Sequence, residues 1–167
     1  MCLQIEELTH NNFADGQEID RDDIPEAFVD NISTLMEITD YGVAHHCIGH
    51  TFLIKKGKTS IAAILLGEAI PWETDPPEVK SQPFYRLMGF VIDKKHRNHG
   101  YGGVILEETI RRIYREFGKR PIVLGCHKDN WRAASFYERH GFVITDYMEQ
   151  NDCYYIRNST SSVIGLP

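Results

Sequence analysis

Three features of the chain predict an α/β (α+β) fold. Apolar runs of strand length alternate with longer stretches in which apolar residues recur every three or four positions. One short run, Ile61-Ala62-Ala63-Ile64-Leu65-Leu66, is apolar throughout, as a central strand covered on both faces would be. Finally, the run Phe84–Asp93 passes through a basic, glycine-rich turn directly into a helical stripe. With 167 residues, 42% of them hydrophobic, the chain can bury the core of one globular domain. That domain is expected over residues 1–158, with 159–167 as a flexible tail that has little to pack.

The elements follow in order. Leu3–Leu8 alternates weakly and suits an edge strand, and Thr9–Gln17 is polar and turn-like. Asp22-Asp23-Ile24-Pro25 has the composition of a helix start, an Asp cap with Pro in the first turn. Phe28, Ile32, Leu35, Met36 and Thr39 follow at helical spacing. His46–Lys56 and Thr59–Ile70 read as strands around a Lys56-Gly57-Lys58 turn. Pro71–Gln82 is a proline-rich, acidic loop, long for a hairpin connection. After the strand Phe84–Asp93, the residues Leu106, Ile110, Ile113, Tyr114 and Phe117 form one helical stripe that Gly118 would end. Pro121–Cys126 is a short strand, Asp129 or Asn130 would cap the next helix, and Phe142–Ile144 and Cys153–Ile156 are the last strands.

The strand-to-helix turn Lys94-Lys95-His96-Arg97-Asn98-His99-Gly100-Tyr101-Gly102-Gly103 has the ingredients of an anion site. The first amides of a helix have no intrahelical acceptor, and the helix dipole adds positive potential there. The dinucleotide spacing fails, because Ile105 stands where its third glycine is needed, and no Walker-type run occurs. What remains, Arg97-x-x-Gly100-x-Gly102, resembles the pyrophosphate loop of the GNAT superfamily of acyl-CoA-dependent N-acyltransferases. A second stretch resembles the other GNAT signature: Asn130-x-x-Ala133-x-x-Phe136-Tyr137, followed by Gly141-Phe142. The two motifs stand in the family's order and cover roughly residues 84–147.

The resemblance implies a mixed central sheet of six to seven strands flanked by helices, with a splayed strand pair that holds acetyl-CoA. It implies that main-chain groups of Phe90, Val91 and Ile92 pair with the pantetheine arm and that one of their N–H groups polarises the thioester carbonyl. Amides from Arg97, Asn98, His99, Gly100, Tyr101, Gly102 and Gly103 would hold the pyrophosphate, and Asn130, Ala133 and Phe136 would line the cofactor. Tyr137 stands where the family's general acid usually stands.

The acceptor poses the harder problem. Freeing the lone pair of a primary alkylamine costs about 4.6 kcal/mol at pH 7, so a base is needed. Some relatives carry a glutamate on the strand before the phosphate turn, but Tyr85-Arg86-Leu87-Met88-Gly89 has no carboxylate. Glu68, at a strand end, is the first candidate base; Glu73, Asp75 and His127 are the others. Glu73, Asp75, Tyr85 and His127 are expected to face the acceptor. Because Glu68, Glu73, Asp75 and Glu78 cluster in sequence, a small cationic amine such as a polyamine is the expected acceptor. Val91-Ile92-Asp93-Lys94-Lys95 resembles the wording of bacterial diamine and polyamine acetyltransferases. An aminoglycoside or a protein or peptide amine is the alternative within the enzyme class, and a non-catalytic acyl-CoA sensor lies outside it.

Composition narrows the remaining classes. A net charge of −6 argues against nucleic-acid binding. No apolar run is long enough to span a bilayer, and the first residues lack the basic and apolar regions of a signal peptide. Four scattered cysteines without a C-x-x-C pair suit reduced thiols in the cytoplasm. His45, His46 and His50 lack the companions of a metal site, and no metal is expected. The resemblance leaves a homodimer possible.

Overall fold

The computed structural model of the chain describes residues 2–160. Residues 161–167, most of the expected tail, lie outside the described residues. In chain order the elements are β1 (Leu3–Glu7), α1 (Phe13–Gln17), α2 (Ile32–Ala44), β2 (Gly49–Lys56), β3 (Thr59–Glu68), α3 (Pro77–Lys80), β4 (Tyr85–Ile92), a 3-10 turn (Lys94–His96), α4 (Tyr101–Phe117), β5 (Ile122–His127), α5 (Trp131–Arg139), β6 (Val143–Glu149) and β7 (Asp152–Arg157). The seven strands form one mixed sheet in the order β1-β2-β3-β4-β5-β7-β6. The α/β reading therefore holds. Among the described residues no helix is long and apolar enough to cross a membrane.

The chain packs as two compact units, and β4 contributes to both. The first holds residues up to Gly67 together with Leu87–Gly118. Here β1, β2 and β3 form an antiparallel meander, with Ile5 opposite Ile54 and Leu53 opposite Ala63. Ser60–Leu66 is buried without interruption, as the unbroken apolar run predicted. Leu8, Ile19, Ile32, Leu35, Met36, Leu53, Ala63, Leu65 and Val91 make one core cluster. In α4 the buried residues are Ile105, Leu106, Thr109, Ile110 and Ile113, a single stripe at helical spacing.

Two local expectations change in this unit. The first long helix begins at Ile32, not near Asp22, because Asn31 supplies the cap: its side chain accepts the Thr34 amide at 2.9 Å. The segment before it wraps around Arg21, whose guanidinium donates to the carbonyls of Val29 and Asp30 at 2.6 Å each. That satisfies backbone groups a helix would otherwise have used. Thr9–Gln17, expected as a turn, ends in the short α1.

The second unit holds Glu68–Arg86 and the chain from Lys119 onward. Within it β4 starts parallel to β5, with Tyr85 opposite Ile122 and Arg86 opposite Val123. β5 pairs antiparallel with β7, and β7 with β6. Val79 from the acidic loop packs with Phe84, Val123, Tyr154 and Ile156. That loop, expected to be irregular, contains α3 and is anchored by Val79, which is 2% exposed.

Candidate functional site

The anion turn is built in the first unit. Asp93 ends β4 with its carboxylate turned inward, 6% exposed. It accepts the amides of Lys95 at 2.9 Å and Asp20 at 2.8 Å, and its Oδ1 meets the His96 ring at 3.1 Å. Burial opposes its ionisation, but the Asp20 amide, the His96 ring and the Lys95 amide outweigh it and hold the acid below the usual carboxylate range. The Lys94 amide returns a bond to the Asp20 carbonyl at 2.8 Å. Residues 73 positions apart are thereby latched together.

Arg97 behaves differently from a cation awaiting a phosphate. Its Nε donates to the Ile92 carbonyl at 2.8 Å and its Nη1 to Asp23 at 2.6 Å. Its Nη2 is buried and has no hydrogen-bond partner among the described residues. Lys94 is likewise engaged, with Asp22 at 3.0 Å. Lys94 and Arg97 thus brace the turn through Asp22 and Asp23, while Lys95 is exposed beside it.

The backbone of the turn is suitably shaped for an anion. Gly100 adopts φ +80°, the left-handed region, and precedes α4 without a side-chain cap bond. Among the described residues nothing beyond its chain neighbours lies within 4 Å of where its Cβ would be. Asn98, also left-handed at φ 62°, and His99 are exposed beside it. Tyr101, Gly102 and Gly103 form the first turn of α4 and are half-buried, with Lys56 Nζ 5.4 Å above the Tyr101 ring. The amides at this helix start have no intrahelical acceptor and point along a favourable dipole.

Upstream in β4, Val91 is buried in the core while Phe90 and Ile92 are half-buried. Gly89 has φ +62°, and a Cβ there would fall 2.3 Å from Leu35 Cδ2 of α2. The strand is therefore kinked at Gly89 and pressed onto α2.

The second motif lies in the second unit. Asn130 caps α5 by accepting the Ala133 amide, at 3.4 Å. Ala133 and Phe136 are half-buried, and Phe136 stacks obliquely on His140, 4.6 Å between ring centres. Tyr137 is 9% exposed and meets Phe136 and Phe142 edge-on at 5.3 and 5.5 Å. Burial, and then the neighbouring Cys126 thiol, pushes its phenol far above the ordinary value. The phenol is therefore a hydrogen donor throughout the physiological range.

The residues expected around the acceptor divide. Glu68 is exposed at the end of β3, its Oε1 3.7 Å from Arg120 Nη1. Glu73 is exposed, and its carbonyl accepts Lys80 Nζ at 2.6 Å. Asp75 requires a correction: it is 1% exposed and gives both oxygens to Arg86, at 2.8 Å each. The arginine on β4 needed a counter-charge once buried, and Asp75 supplies it. Trp72 then stacks on the guanidinium at 3.7 Å. Tyr85 also departs from expectation. It is 0% exposed under the Arg120 guanidinium, so its side chain packs in the interior. His127 is half-buried and accepts the Asp129 amide on Nδ1 at 3.1 Å, so that ring nitrogen is engaged locally.

Sequence reasoning missed Arg86 and the Asp20–Asp23 segment as organising residues. A charged residue inside an apolar strand was the available signal for Arg86. Nothing local pointed from Asp20 to Asp93.

No curated protein matches the chain at significant similarity. Among solved structures, several share its fold at low identity. An acetyltransferase of the GNAT family from Staphylococcus aureus is 17% identical with a TM-score of 0.63, over 95% of this chain and 100% of the other. The PaiA N-acetyltransferase of Thermoplasma acidophilum in complex with coenzyme A is 15% identical, TM-score 0.66, over 95% and 99%. A chimera of the Vibrio cholerae spermidine N-acetyltransferase SpeG with hSSAT is 13% identical, TM-score 0.65, over 95% and 96%. The family description "Acetyltransferase (GNAT) family" matches residues 14–142. A match of that length takes in the anion turn and Tyr137 alike, and this chain belongs to the GNAT acetyltransferase family.

Proposed function

We propose that the protein transfers an acetyl group from acetyl-CoA to a small cationic primary amine of polyamine type, by direct attack in a ternary complex. The observation that carries the cosubstrate half is the uncapped start of α4 behind a left-handed Gly100 with open space around it. Amides from Arg97 to Gly103 would take the pyrophosphate there, while Arg97 and Asp93 hold the turn in shape. Main-chain groups of Phe90, Val91 and Ile92 would carry the pantetheine arm, and the kink at Gly89 supports an N–H turned out of the ladder toward the thioester oxygen. Asn130, by capping α5, would set the position of Ala133, Phe136 and Tyr137.

In this reading the neutral amine attacks the thioester carbonyl, the C–S bond breaks, and the thiolate leaves. Tyr137 would donate a hydrogen bond to that sulfur. A CoA thiol titrates near 8.5, well below the buried phenol, so stabilisation comes from the hydrogen bond rather than complete proton loss by Tyr137. Glu68 is the proposed base, drawing the amine's proton through water, and Glu73 the proposed anionic contact for the acceptor. The polyamine reading is supported by those exposed carboxylates and by the spermidine acetyltransferase of the same fold. It draws no support from Asp75, whose charge is committed to Arg86.

The test is thiol release from acetyl-CoA across spermidine, putrescine, an aminoglycoside, free amino acids and short peptides. Turnover with the polyamines above the no-acceptor background is expected. Tyr137→Phe should lower kcat about 100-fold, with a much smaller change in the acetyl-CoA KM. Turnover with peptides alone would redirect the acceptor assignment. A flat panel with retained acetyl-CoA binding would favour a non-catalytic acyl-CoA binder.

A further inference from the structure

Cys126 on β5 and Cys153 on β7 stand directly opposite each other in the antiparallel ladder. Residues in that relation project from the same face of the sheet. Two positions along, the Lys128 amide bonds the Asn151 carbonyl at 2.8 Å, so 126 and 153 also form a hydrogen-bonded pair. Such pairs have Cα atoms about 5.5 Å apart, inside the window of about 4.4–6.8 Å that a disulfide spans, while their Cβ atoms, about 5 Å apart, must close to about 3.8 Å for the bond to form. Both cysteines are free thiols. The Cys126 thiol is directed at the carbonyls of Asn130 and His127, at 3.6 and 3.8 Å, and is 4% exposed, whereas Cys153 is half-buried.

We propose that Cys126 and Cys153 are a modification site, a cross-strand dithiol that small hydroperoxides convert reversibly to a disulfide. The better-exposed Cys153 reacts first. Its thiolate attacks one oxygen of hydrogen peroxide, the O–O bond breaks, and a sulfenic acid forms with release of water. The Cys126 sulfur then attacks Cys153 Sγ, the S–O bond breaks, and a second water leaves. Two thiols and one peroxide become one disulfide and two waters. Burial, with Asp152 and Cys153 nearby, pushes the Cys126 thiol up to about 11, so Cys126 is not the thiol that meets peroxide first, and its attack on the sulfenic acid should speed up as the pH rises. Cys126 is also close enough to act on the Tyr137 phenol, so the bridge would form beside the proposed donor.

The experiment uses the full chain and needs no acetyl transfer, so it stands or falls apart from the proposed function. Reduced protein is treated with hydrogen peroxide, denatured, alkylated and mapped by mass spectrometry. The expected result is loss of two of the four alkylatable thiols, a mass lower by two hydrogens, and a peptide pair joining Cys126 to Cys153. Dithiothreitol should restore all the thiols. In Cys126→Ser, Cys153 should be trapped as the sulfenic acid by dimedone; in Cys153→Ser, Cys126 should remain alkylatable. Four alkylatable thiols after peroxide, or a bridge through Cys2 or Cys47, would overturn the proposal, and the wild-type map alone suffices to decide it.

Discussion

The anion turn and the acidic loop look like opposites in sequence, one basic and one acidic, yet both are built on the same device. In the turn, Lys94 and Arg97 are paired with Asp22 and Asp23, and Asp93 is sealed under backbone amides. In the loop, Asp75 is sealed under Arg86, which Trp72 covers. The charges that drew attention as ligands act as struts. They differ in burial: the Arg97–Asp23 pair is partly exposed, whereas the Asp75 side chain is fully enclosed. A buried pair leaves a stranded charge when one partner is removed, and an exposed pair does not.

The largest effect should therefore come from the loop. Asp75→Asn would strand the Arg86 charge and cost about 3–5 kcal/mol, read as a fall in the urea midpoint. An equal loss from Asp23→Asn would erase the contrast between the regions, since a partly exposed pair is worth about 1 kcal/mol or less. Replacing both Asp75 and Arg86 by apolar residues should recover most of the loss.

Asp93→Asn ranks next. An amide in that position would set an NH2 group against the Asp20 or Lys95 amide, at a cost of about 2 kcal/mol. The folded carboxyl lies below its unfolded value of about 3.9. Its stabilisation is therefore complete above that unfolded value and is lost as pH falls through the folded one. The difference in unfolding free energy between wild type and Asp93→Asn should hold from pH 5 to 7 and shrink as the pH falls through the acid range. A difference that persists unchanged into strong acid would show that the carboxylate charge is not what matters.

Gly100→Ala should have a small effect on stability, about 1 kcal/mol for a left-handed alanine with no steric clash among the described residues. Its acetyl-CoA KM should nevertheless rise, because the methyl group enters the space proposed for the pyrophosphate. A shift in melting temperature without a change in KM would break the assignment of this turn to the cosubstrate.

The parts legible in the sequence were those written in adjacent residues. Asn130 was read as a possible cap and does cap α5; the stripe from Leu106 to Ile113 was read as a buried helix face and is one. The family followed from two short motifs. The acceptor region was read less well. A carboxylate in a proline-rich loop and an arginine in a strand are each unremarkable, and only the fold brings Asp75 within 2.8 Å of Arg86. The same holds for Tyr85, which proximity to the motif recommended and burial removed.

By itself the sequence determined the strands of the sheet, the long helix α4, the glycine turn before it and membership of an acyl-CoA-dependent family, because helix stripes, caps and tight turns depend on neighbours a few residues away. The tertiary structure alone decided which charges remain for chemistry. Burial forces each enclosed charge to find a partner, and that partner comes from wherever the packed chain returns: the Asp20 amide for Asp93 and Asp75 for Arg86.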